Sequence, residues 1–118
     1  MSYDIDFKVK VEGIDRYISV GYCDANMTWN VREMICKSTG LEWKNCENNG
    51  YCKEVIPHIR KGLNELLTKE SYYKQFEASN GWGTVDGCIN FFKNILQSWE
   101  ELCKWDKELI DVVIFWIE

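Results

Sequence analysis

The chain has 118 residues, close to the size of one domain, and its 46% hydrophobic and 14% aromatic side chains are enough to bury a core. Fourteen basic against nineteen acidic residues leave a net charge of −5, and the one basic cluster is "HIRKG" around Arg60 and Lys61. The row of cations that would displace counterions from a nucleic-acid backbone is missing, so no direct nucleic-acid ligand is expected. The acids are spread along the chain, which weakens phosphate mimicry as well.

The opening "MSYDIDFKV" has neither a cationic start nor an apolar run of signal-peptide length, and no later stretch reaches the ~20 apolar residues that cross a bilayer. The expectation is a single cytoplasmic domain over residues 1–118, with no membrane partner. From Ile5 to Val11, Ile5, Phe7, Val9 and Val11 alternate with Asp6, Lys8 and Lys10, the pattern of a strand with one wet face. "EGIDR" supplies turn residues, and Tyr17 to Tyr22 resumes the alternation, predicting an antiparallel hairpin.

After "GYCDAN" the period changes. Met27, Val31, Met34 and Ile35 are spaced as the buried stripe of a helix that Gly40 would end, and Asn26, Thr28 and Asn30 offer N-caps, Asn30 with Glu33 as a capping box. "EWKNCENNGYC" reads as a polar loop. A second helix starts near Lys53, with Ile56, Ile59, Leu63, Leu66 and Leu67 on its buried face and Pro57 tolerated near its first turn. "KESYYKQFE" reads as a further short helical turn. From Thr84, apolar positions from Val85 to Cys103 hold a helical period for about five turns. The closing "ELIDVVIFWIE" is β-branched and aromatic, a third strand.

The resulting order β-β-α-α-α-β predicts a two-layer α+β domain: a three-stranded antiparallel sheet with helices packed on one face. If the last strand pairs with the first, the strand order is 2-1-3. The long helix must then begin where the second strand finishes, which brings "NMTWN" and "NGWGT" together at one edge.

That edge is the sharpest candidate site. Two helix N-termini with unpaired N–H groups, the polar residues Asn26, Thr28, Asn30, Asn80 and Thr84, the stacking surfaces Trp29 and Trp82, and the permissive Gly81 and Gly83 would suit a nucleotide or another anionic metabolite. The competing reading is structural: the glycines make a tight turn, Thr84 caps the helix, and Trp82 folds over the core. Trp43 and Trp105 have no evident core slot, and with Tyr72, Tyr73 and Phe76 they form a candidate protein interface.

Catalysis has weaker support. His58 near Glu54 lacks a nucleophile with a matching motif, and Asp4 and Asp6 lack a clustered third metal ligand. The six cysteines form no C-x-x-C pair and there is one histidine, so neither zinc nor any other cofactor is expected; Cys46 and Cys52 flank a loop that could bring them close.

"NMTWNVREM", followed after about fifty residues by "NGWGTVDGCINFFKNIL" and a short closing strand, resembles a group of small proteins encoded by bacteriophages and prophages. The resemblance covers mainly residues 26–36 and 54–97 and rests on the N-x-T-x-N and N-G-W-G motifs; "GIDRYISVGYCDAN" and the thiol-rich loop lie outside it. It implies a setting and no particular activity: accessory proteins of this size bind and block host proteins, defence proteins among them. The expectation is therefore a non-enzymatic interaction protein, monomer or homodimer, with a host protein as partner, and a small ligand-binding domain is the alternative.

Overall fold

The computed structural model describes every residue except Met1, Tyr22, Asp24 and Asp106. Tyr22, expected to end the second strand, therefore lies outside the described residues. The chain folds as an α+β domain whose strands are β1 (Ser2–Lys10), β2 (Tyr17–Gly21), β3 (Asn26–Thr28), β4 (Glu47–Tyr51) and β5 (Ile114–Ile117). Its α-helices are α1 (Arg32–Thr39), α2 (Cys52–Thr68), α3 (Glu70–Tyr73) and α4 (Val85–Trp105).

The sheet is antiparallel throughout, in the order β2-β1-β5-β4, with β3 also paired to β1. β5 beside β1 gives the expected 2-1-3 arrangement of hairpin and closing strand, but five strands replace three. The first addition arises because nine-residue β1 is longer than five-residue β2. The backbone of Ser2 to Asp4 would be left open, and Asn26–Thr28 pairs with it instead of starting a helix. Met27 stays buried opposite Tyr3, so the apolar spacing that suggested a helical stripe is met by a strand, a 3₁₀ turn over Trp29–Val31 and only then α1.

The second addition is β4, where the sequence reads as a loop. Its residues have little strand propensity, and side chains secure it. Asn49 Nδ2 donates to the carbonyls of Lys44 and Glu47 at 2.8 and 3.0 Å, and Asn48 Oδ1 accepts from Gly50 N–H at 2.7 Å.

Alternation then sets the layers. Tyr3, Ile5 and Phe7 of β1, with Phe115 and Ile117 of β5, are buried on the face that the helices cover. Trp99 of α4 meets Phe7 edge-on at 5.7 Å, and α2 is tied to the sheet by Cys52 N–H donating to the Val113 carbonyl at 2.8 Å. α4 keeps its expected length, 21 residues, with Val85, Cys88, Phe92, Ile95, Trp99 and Leu102 buried as its period requires. Each fully buried aromatic here, Phe7, Phe91, Phe92 and Phe115, contributes roughly 1.5–3 kcal/mol by leaving water. On α2, Ile56, Ile59 and Leu66 are buried as expected, whereas Leu67 is exposed because it sits one position beyond the stripe. No helix among the described residues is long and apolar enough to cross a membrane.

Candidate functional site

The two motif segments meet. Gly83, at φ +111°, lies so close to the β3 end that a Cβ there would be 2.5 Å from Val31 Cγ1 and 3.1 Å from Thr28 Cγ2. Gly83 is thus needed twice, for its backbone angle and for its missing side chain. A few residues on, Gly87 packs beside Met27.

Several of the polar groups at this junction already have partners in the fold. Asn26 Nδ2 donates to Ser2 Oγ at 3.1 Å and Asp4 Oδ1 at 2.7 Å. Thr28 Oγ1 accepts from Asn30 N–H at 3.4 Å, in place of the capping box expected from Asn30 and Glu33, and exposed Asn30 follows it. Trp29 is half-buried, its Nε1–H donating to the Ser2 carbonyl at 2.9 Å and its ring 5.9 Å from that of Tyr3. Asn80 Oδ1 accepts from Trp82 N–H at 2.9 Å, closing the turn in which Gly81 has φ +78°.

At the start of α4, Thr84 Oγ1 accepts from Gly87 N–H at 3.0 Å, and the carboxylate of Glu77 accepts from Val85 N–H at 2.8 Å. The anion favoured at a helix N-terminus is therefore already supplied by the chain. Nothing local marks Glu77 for this role in the sequence, because it reaches the helix from across the turn.

Trp82 is 71% exposed and does not fold over the core. Its loop is nonetheless tied down: Ala78 N–H donates to the Gly83 carbonyl at 3.3 Å and Gly81 N–H to the Ala78 carbonyl at 3.1 Å. The indole stands on a fixed turn.

The candidate interface residues separate into three groups. Trp43 is a core residue, 2% exposed, packed on Tyr3, Phe91 and Phe115 with centroids 5.7–5.8 Å away. Its loop is drawn inward by Arg32, whose Nη2 donates to the Trp43 carbonyl at 3.0 Å. Tyr73 is likewise buried. Tyr72 is exposed and Phe76 half-buried, their rings edge to face at 5.7 Å, on the same α2–α4 crossover that carries Trp82. Trp105 is 73% exposed at the far end of α4, whose ~1.5 Å rise per residue sets it roughly 30 Å from Trp82. Trp82 and Trp105 belong to different surfaces.

A third surface carries aromatic residues that the sequence reading left unassigned. On the sheet face away from the helices, the rings of Tyr17 and Trp116 lie 5.1 Å apart and Lys8 Nζ sits 4.3 Å from the Trp116 centroid while pairing with Glu118 at 3.0 Å. The available signal was strand parity alone: Trp116 is one residue from both Phe115 and Ile117 and so faces away from them.

His58 is held by a 3.2 Å contact between Nδ1 and the Thr39 carbonyl. Cys46 is exposed and Cys52 buried, and no disulfide joins them. Burial pushes the Cys52 thiol far up, assisted by nearby Cys23 and Cys103, and pushes Cys88 up to about 12, so both stay protonated and poorly nucleophilic. No group of three or more metal-ligating side chains occurs among the described residues. The chain matches no family model, and comparison with curated proteins and with solved structures found no match.

Proposed function

We propose that this chain is a non-enzymatic binding protein that engages a partner protein through the α2–α4 crossover, with Trp82 as the anchor and Tyr72 and Phe76 beside it in the chain. The observation that carries this reading is the exposure of Trp82 on a turn closed by its own hydrogen bonds. Large exposed indoles on preformed turns are the side chains that become interface anchors, because binding buries much apolar area without ordering new chain. The alternative, capture of a nucleotide at the converging helix N-termini, would require the donors now held by Glu77, Thr84, Thr28 and Asn80 to be released.

The setting proposed with this function is that of a phage or prophage accessory protein in the cytoplasm of a bacterial host, where binding blocks a host protein such as a defence component. It rests on the resemblance of the N-x-T-x-N and N-G-W-G segments. Affinity capture from a bacterial extract tests the reading. The same host protein should be retained by the wild type and by Trp105→Ala, and lost by Trp82→Ala at unchanged fold. Retention by Trp82→Ala, or a bound small molecule lost on that substitution, would overturn it.

A further inference from the structure

The opposite end of the molecule carries a second surface, independent of Trp82. β2 is an edge strand, and among the described residues Ile18 to Gly21 pair with β1 alone. Edge strands are ordinarily protected by charges, prolines or covering elements. "YISVG" contains neither a charge nor a proline, and Ile18 is exposed.

Two depressions flank this edge, and both are lined by Gly21. On the helix side, a groove of about 400 Å³ lies between Gly21, at the end of β2, and α4, with Leu102 and Trp105 as its apolar wall and Gln97, Ser98 and Glu101 at its sides. On the opposite side lies a depression of about 490 Å³ lined by Asp4, Asp6 and Glu118. Lys8 pairs with Glu118, while Asp4 and Asp6 accept only from the uncharged Asn26 Nδ2 and Ser19 Oγ, so one cation offsets three carboxylates there among the described residues.

A strand laid along β2 would send successive side chains to opposite faces of the sheet. Alternate residues would enter the apolar groove, and those between them would reach the carboxylates. We propose that the β2 edge binds an extended segment of a partner in which apolar residues alternate with lysine or arginine. Main-chain hydrogen bonds would hold the segment, and the two depressions would select its side chains. A second copy of the chain fits less well. A five-residue edge spans about 17 Å, and pairing two such edges buries too little of the roughly 1,000 Å² that a stable interface needs.

The test uses a blocked eight-residue peptide of alternating valine and lysine, titrated into the isotopically labelled protein and followed by amide chemical shifts. Shifts should concentrate at residues 18–21 and 102–105 and weaken with added salt. Trp105→Ala, exposed and therefore harmless to the fold, should weaken binding about tenfold, and replacing the peptide's lysines with glutamates should do at least as much. Methylating alternate main-chain nitrogens on the pairing edge should abolish binding, and Trp82→Ala should leave it unchanged. Absence of shifts up to about 1 mM peptide, binding indifferent to N-methylation, or shifts away from the edge would overturn the proposal. So would self-association of the unliganded chain through the same residues.

Discussion

Two connections in this molecule carry a tryptophan in polar text rich in asparagine and glycine, and they treat it in opposite ways. The segment between α1 and β4 buries Trp43 among Tyr3, Phe91 and Phe115 and exposes the thiol of Cys46. The segment between Phe76 and α4 exposes Trp82 and buries nothing of comparable size. The difference lies in what each connection must do. The first lies against the core, where Trp43 fills the space between Tyr3 of β1, Phe115 of β5 and Phe91 of α4. The second only has to dock its backbone, which it does at Gly83 against Val31 and Thr28. Local composition sets the turn, and the place of the turn over the core decides the burial.

The largest effect should break the first connection. Trp43→Ala should destabilise the fold by about 3–5 kcal/mol in urea unfolding, by leaving a cavity among aromatic rings. Loss of less than half that would show the loop tolerates an empty slot. In the second connection the sensitive residue should be the glycine instead of the tryptophan. Gly83→Ala adds a methyl group against Val31 and forces a positive φ, and should cost about 2 kcal/mol or more.

The thiols sharpen the same contrast through pH. Cys52 and Cys88 have folded-state values raised by burial, so their contribution is fully present below the unfolded thiol value near ~8.5 and is lost as pH rises above it. Stability should fall above that pH by up to ~1.4 kcal/mol per pH unit for each thiol. Cys46 should react with a thiol reagent in the native protein while Cys52 and Cys88 wait for unfolding. The smallest effect should be Trp82→Ala, within about 0.5 kcal/mol of wild type, since the side chain is exposed and the hydrogen bond to Asn80 comes from the backbone N–H, which the substitution keeps.

Much of this was legible in the sequence. The hairpin, the long helix, the closing strand and the meeting of residues 26–30 with residues 80–84 follow from alternation, period and length. The two short strands were not legible. β3 exists because β1 outruns β2, a fact of pairing that Met27 and its neighbours do not encode locally. β4 is held by the side chains of Asn48 and Asn49 rather than by strand-forming residues. At the candidate site the residues were named from their polarity, but polarity does not say whether a donor is free. Glu77, arriving from across a turn, takes the α4 terminus that an external anion would have used.

The most direct test of the account is photo-cross-linking in a bacterial host extract, with a photoreactive amino acid placed at position 82 and, in parallel, at exposed position 67 on α2. One dominant host protein should be joined at position 82 and not at position 67. Equal labelling at both positions, or a cross-link at neither, would contradict a partner seated on Trp82.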